Sequence, residues 1–266
     1  MVDCKEIIEI MRRLAPEQTC EAWDNVGLII GGEHTPVERI LISLDYTEKT
    51  RAEAVERKCQ MVITHHPPIF SKLARINGNT PLGRLIMDTI KSGISVYSAH
   101  TNLDYAAGGT DDTLFEALGL LEKEYLMPPN IHGQRLGRTG CFAKDFTLGE
   151  VCELVKEKLG VEAVKCVGNL DALVSKAATV AGSGASAEFF ANTLAAGADV
   201  YITGDLKYHE ALDAAAMGLN IIDATHFATE NIVCKSIKNY LEENLEKGKN
   251  VEIILSETSE APFKFI

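Results

Sequence analysis

Four of the seven histidines, His65, His66, His100 and His226, directly follow apolar runs that read as buried strands. Open parallel sheets place ligands outside the carboxyl ends of their strands. Two of these residues open short motifs, His100-Thr101-Asn102-Leu103-Asp104 and His226-Phe227-Ala228-Thr229-Glu230, in which an imidazole precedes a carboxylate by four positions. In a helical turn such a pair shares one face, with Cβ atoms about 5–6 Å apart, close enough to meet at one ion. Imidazole with carboxylate suits zinc, iron, manganese or nickel and suits copper(I) poorly. Adjacent His65 and His66 would face opposite sides of a regular strand, but Pro67 and Pro68 end that strand and release both rings. Four histidines and two acids exceed the needs of one tetrahedral ion with an open position. They fit two ions that share a carboxylate and a water. His100 is the least secure ligand of the set, since it can instead orient Asp104. His34 and His209 read as surface residues.

The elements that must hold these side chains follow from periodicity. Apolar residues in 3–14 form one helical stripe stopped by Pro16, and strand 39–44, helix 48–58 and strand 60–64 form a parallel unit. Helix 82–92, strand 94–98 and helix 110–118 extend it. The second half repeats the order with strand 177–181, helix 187–196, strand 199–203, helix 206–217, strand 220–223 and helix 231–245. Residues 60–66 align with 199–205, and 96–104 with 222–230, polar positions included, which suggests an internal duplication. Pro128-Pro129-Asn130 and the glycines at 133, 137 and 140 mark the connection, followed by helix 148–159. The expected fold is α/β, with two similar α/β domains at 1–125 and 126–266, mostly parallel sheets, and C-terminal residues packing back on the first domain.

Composition narrows the function classes. Apolar residues make up 46% and charged residues 24% of 266 residues, which is the balance of an ordinary globular chain. Acids outnumber Lys and Arg by 38 to 26, a net charge of −12. With no basic cluster, this argues against broad attraction to nucleic acid or to a membrane surface. No apolar run approaches a membrane span, and the start is not that of an export signal. Seven scattered cysteines without a C-x-x-C pair fit a reducing cytoplasm.

Other motifs have plain explanations. Gly182-Ser183-Gly184-Ala185-Ser186-Ala187 formally matches a dinucleotide-binding turn but reads equally as a tight turn between strand and helix. Trp23 reads as a buried anchor, and Arg135 and Arg138 read as strand or turn residues rather than phosphate ligands. Asp45, at a strand end, reads as a helix N-cap or as a partner to a ligand. There is no Gly-rich Lys-Ser/Thr phosphate loop and no G-x-S-x-G elbow, which removes the common ATPase and serine-hydrolase readings.

Thr64-His65-His66-Pro67-Pro68, Ala99-His100-Thr101-Asn102-Leu103-Asp104, Trp23-Asp24-Asn25-Val26-Gly27-Leu28, Gly204-Asp205 and Thr225-His226-Phe227-Ala228-Thr229-Glu230 together resemble the NIF-three-like dinuclear metal-centre hexamer family, nearly end to end. Bacterial members of that family are often labelled GTP cyclohydrolase I type 2 homologues. The resemblance implies metal ligands at His65, His66, Asp104, His226 and Glu230, with Glu230 bridging both ions, leaves His100 outside the usual set, and brings the Trp23 loop toward the cleft, where it would shape a substrate pocket. It also implies two divalent ions held between the domains and a toroidal homohexamer with its sites facing an internal cavity. The short form of the family, without the inserted domain, is the closer match.

Two divalent ions with two carboxylates leave a net charge of about +2, so a small anionic or nucleotide substrate is admissible despite the acidic chain. The expected activity is metal-dependent hydrolysis, of the cyclohydrolase kind that the family label implies, with His100 and Asp45 as candidate general acids. The alternative is a non-catalytic metal-binding hexameric assembly or regulatory protein.

Overall fold

Ile40, Leu41 and Ile42 are fully buried, as are Met61, Val62 and Ile63. Unbroken apolar runs of this kind belong to parallel strands covered on both faces. In the computed structural model, which describes residues 2–246 and 248–266, these runs form the middle of a five-stranded sheet. Its strand order is Glu252–Leu255, Arg39–Ser43, Met61–Thr64, Ser95–Ser98 and Gly27–Ile30. The first three pairings are parallel and the last is antiparallel. This sheet belongs to a first unit that runs to Gly109 and resumes over Val233–Glu260. On one face Leu41, Val62 and Val96 pack with Tyr46, Ala54, Leu85 and Ile86, and each such aliphatic side chain contributes about 1.5–3 kcal/mol by leaving water.

The opening helix Cys4–Leu14 buries Cys4, Ile7, Ile8 and Met11, the 3.6-residue stripe that the sequence shows. Asp3 caps it by accepting the Glu6 N–H at 3.1 Å. Helix Glu48–Glu56 is capped by Thr47, not by Asp45, which leaves the Asp45 carboxylate for another partner.

Thr110–Ile232 with Ala261–Ile266 forms the second unit. Its sheet has six strands, in the order Leu121–Tyr125, Arg138–Thr147, Leu173–Thr179, Val200–Thr203, Asn220–Asp223 and Lys165–Val167. The three strands from Leu173–Thr179 to Asn220–Asp223 are parallel, flanked on both sides by antiparallel pairings. Across the two large sheets five of nine pairings are parallel. Val200 and Ile202 enter one core and Tyr201 the other, the two-residue alternation of a strand with both faces covered. Among the described residues no helix is long and apolar enough to cross a membrane.

One buried acid ties down the end of the first unit. Glu53 accepts hydrogen bonds from the Glu257 N–H at 3.0 Å, from the Ser256 hydroxyl at 2.6 Å and from the Thr258 hydroxyl at 2.8 Å. Burial pushes its carboxyl up, and these donors more than offset that, so it sits below its usual value of 4.5. A lowered carboxyl contributes stability above its unfolded pKa and loses it as pH falls through the folded value. Protection of the 256–258 amides, taken relative to the intrinsic exchange rate at each pH, should therefore be high at pH 6 and fall as pH drops through the lowered carboxyl value. Glu53→Gln should show low protection throughout.

Candidate metal centre

In the first unit the strand Met61–Thr64 ends just before His65, and the two histidine rings emerge 4.9 Å apart at 48° to one another. The next strand, Ser95–Ser98, delivers His100 as the N-cap residue of the short helix Thr101–Asp104. Ligand atoms of His65, His66 and His100 lie within 4.8 Å of one another. His65 Nε2 stands 3.6 Å from Asp104 Oδ1. That is beyond a good hydrogen bond but near the roughly 3.3 Å that separates two donors on one tetrahedral ion with bonds of about 2.0–2.1 Å. His65 is fully buried, so its donor faces protein rather than bulk water.

In the second unit the strand Asn220–Asp223 leads into the helix His226–Asn231, and the expected turn brings His226 Nε2 to 2.8 Å from Glu230 Oε2. Glu230 is almost completely buried. Thr225, which caps this helix, has φ +73, a strained value for a β-branched residue, stored beside the two candidate ligands.

Each of the four histidines has its Nδ1 engaged in the same way. His66 Nδ1 donates to Asp45 Oδ1 at 2.8 Å, His65 Nδ1 to the Ala99 carbonyl at 2.8 Å, His100 Nδ1 to Asp24 Oδ1 at 2.9 Å and His226 Nδ1 to Asp205 Oδ2 at 2.8 Å. Carboxylates and carbonyls only accept, so each Nδ1 carries a proton, which makes Nε2 the ring atom that could ligate a metal ion. An acceptor behind an imidazole fixes its ring and raises its basicity as a metal ligand. Burial pushes the Asp24 carboxyl up, but hydrogen bonds from His100 and Thr101 outweigh it and hold the group at about 2. Asp24 therefore stays ionised behind His100.

Two of these partners, Asp24 and Asp205, were not assigned a role from sequence. A signal exists in the pairing of strands. Ser43 pairs with Thr64 and Thr203 with Asp223. In both units an acid two residues beyond one strand thus meets a histidine just beyond its parallel neighbour. Glycine completes the second cluster: a Cβ on Gly182, at φ +65, would lie 1.9 Å from Glu230 Oε1. The Gly182 N–H donates to Thr229 Oγ1 at 2.9 Å, and its carbonyl accepts the Gly204 N–H at 2.9 Å. The turn that resembled a dinucleotide loop is filled by the protein itself. Besides Glu230 at Gly182, Tyr201 donates to the Gly184 carbonyl at 2.8 Å, and a carboxylate at the glycine repels a pyrophosphate.

Three expectations elsewhere are resolved. Trp23 is 58% exposed rather than a buried anchor. Arg138 is among the most buried side chains, donating to Asp112 Oδ1 and the Gly137 carbonyl, so it is not a phosphate ligand. His34 and His209 are exposed.

The family model for Duf34/NIF3 (NGG1p interacting factor 3) matches residues 2–262. A Clostridium perfringens protein named GTP cyclohydrolase 1 type 2 homolog is 38% identical over 262 residues, covering 98% of each chain. A Bacillus subtilis protein of the same name is 29% identical across an alignment of 372 residues, covering all of this chain and 99% of its own, and so includes segments that this chain lacks. Among solved structures, a Bacillus cereus protein related to NIF3 superposes with a TM-score of 0.93 at 28% identity, covering 100% of this chain and 99% of its own.

Proposed function

The chain belongs to the Duf34/NIF3 family, and from that premise we propose that it is a metal-dependent hydrolase acting on a small nucleotide or phosphorylated substrate. The proposed ligands are His65, His66, Asp104, His226 and Glu230, holding two divalent ions, with Glu230 shared by both. The name carried by its relatives, GTP cyclohydrolase 1 type 2 homolog, makes ring opening of a purine nucleotide the specific reaction to test first. The observation that supports this reading best is the uniform engagement of Nδ1 in all four histidines, which presents four basic Nε2 atoms beside two acids. A surface histidine has no need of such backing.

When bound, such ions would polarise an oxygen or nitrogen attached to an electrophilic carbon or phosphorus and bring the pKa of water toward neutral. The chain's own residues do the rest. Asp45 and Asp205 accept hydrogen bonds from Nδ1 of His66 and His226 and so fix both rings with Nε2 as the atom that would ligate. Asp45 is occupied in this way, so the candidate acid is His100, backed by Asp24 and clustered with His65 and His66; it would have to carry a second proton, on Nε2, to act. Burial of His65 and Glu230 keeps competing water from their donor atoms. We place the protein in the cytoplasm, as a homohexamer with its sites turned to an internal cavity.

Elemental analysis and calorimetry should give two zinc or manganese ions per chain, and the loaded protein should turn over GTP or a related compound. Glu230→Gln should lower turnover at least 100-fold and weaken metal binding while the assembly persists. If the loaded protein is inert across nucleotides and phosphorylated compounds, and chelation dissolves the oligomer, the centre is structural and the hydrolase reading is wrong.

A further inference from the structure

Trp23 and Phe70 are 58% and 53% exposed, yet they are not scattered surface residues. Their ring centroids are 5.6 Å apart at 48°, and each centroid lies 6.1 Å from the His100 ring. His100 in turn stands 5.1 Å from His65 and 5.5 Å from His66. The two aromatic faces thus continue the histidine cluster outward.

Both rings are held firmly. The Asp24 N–H donates to the Glu21 carbonyl at 3.0 Å, the Asn25 N–H to Asp24 Oδ1 at 2.8 Å, and the Asn25 side-chain amide to the Ile69 carbonyl at 2.5 Å, which ties the Trp23 loop to the Phe70 loop. Asp24 also accepts from His100 and Thr101, so one carboxylate sets the position of the aromatic pair and of the nearest histidine. A fold that spends this many hydrogen bonds on two solvent-facing rings has placed them for contact.

We propose that Trp23 and Phe70 form a stacking platform that binds the planar heteroaromatic ring of a substrate whose reacting edge faces the histidine cluster. This deepens the hydrolase reading and rests on it for the position of the reacting atoms. Aromatic faces stack on flat, polarisable rings with about 1–3 kcal/mol per base and hold no partner for a phosphate, so the platform suits a heterocycle.

Trp23 is the sole tryptophan, so its fluorescence reads occupancy of the platform directly. Zinc-loaded protein titrated with guanosine 5′-monophosphate should show quenched emission, and ribose 5-phosphate, the same molecule without its base, should not quench it. By calorimetry, Trp23→Leu and Phe70→Leu should each weaken nucleotide binding by about 5- to 100-fold with zinc content unchanged. Trp23→Phe should restore most of the affinity. The platform is refuted if nucleotide and ribose phosphate bind alike, if the leucine variants bind the nucleotide as wild type does, or if those variants instead lower the sedimentation coefficient, which would make the patch a contact between copies. Failure of the hydrolase reading is separate: it appears as absent metal or absent turnover while base-dependent quenching of Trp23 persists.

Discussion

Gly182→Ala should cost the protein its hold on metal at the second cluster far more than it costs the fold. The new Cβ would sit 1.9 Å from Glu230 Oε1, 2.8 Å from Glu230 Cδ and 3.5 Å from His226 Cε1, so the carboxylate must swing away from His226. The alanine must also adopt φ +65, a strain of about 1–2 kcal/mol. That strain alone lowers Tm by roughly 2–8 °C for a protein of this size. Displacement of the carboxylate should weaken zinc binding on the order of 100-fold. Gly160 supplies the control, because it has φ +67 with nothing within 4 Å of its would-be Cβ. Gly160→Ala should reproduce the Tm loss and leave zinc affinity alone. Equal zinc affinity in the two variants would show that the contact with Glu230 does not govern the site.

Arg138→Met should be the most destabilising single change in the second unit. The guanidinium is 1% exposed, donates to Asp112 Oδ1, lies 3.8 Å from Asp111 Oδ2 and stacks over Tyr125 at 4.6 Å. Asp111 in turn accepts the Gly137 and Ala181 N–H groups, joining the start of strand Arg138–Thr147 to the segment that precedes Gly182. Removing one partner of a buried ion pair costs about 3–5 kcal/mol, and the loss here falls toward the lower end because Lys123 Nζ stays 3.2 Å from the same Asp112 oxygen. Thermal unfolding should shift down by roughly 6–20 °C. The double variant Arg138→Met with Asp112→Leu should recover much of the loss, since an apolar pair carries no orphaned charge. A single variant within about 2 °C of wild type would contradict this account.

The legible parts of the molecule were those with a strong period. Residues 148–159 carry an apolar stripe and a Thr147–Glu150 capping box, and the helix Leu148–Leu159 has those bounds. Strand Asn220–Asp223 matches its apolar run. The helix read over 231–245 is Val233–Asn244, and the turn expected at His226–Glu230 is a separate short helix, His226–Asn231. Strand Leu121–Tyr125 gave no signal, since all five residues are exposed and it is held by backbone pairing with Arg138–Thr147, by Arg138 over the Tyr125 ring and by the Lys123–Asp112 ion pair. Gly27–Ile30 was hidden in a turn-rich segment and pairs antiparallel with Ser95–Ser98.

At the candidate site, types and spacing revealed the histidines and their i+4 acids, because helical geometry is local. Their supporting acids were harder to see. Asp24 lies 76 residues from His100, and only the sheet register brings Asp45 and Asp205 to their histidines. For Trp23, hydrophobicity alone favours burial, and the structure instead leaves the ring 58% exposed and 6.1 Å from His100, on the side to which the family resemblance assigns its loop.

The sheet of the first unit takes its outer strand, Glu252–Leu255, from far downstream, beside Arg39–Ser43. On the ribosome, residues 110–232 can finish their own sheet while the backbone of Ile40 and Ile42 still waits for a partner that emerges last. The nascent chain thus carries an open, apolar strand edge through most of its translation, which makes it a client for chaperones and fixes the order in which the two histidine clusters mature.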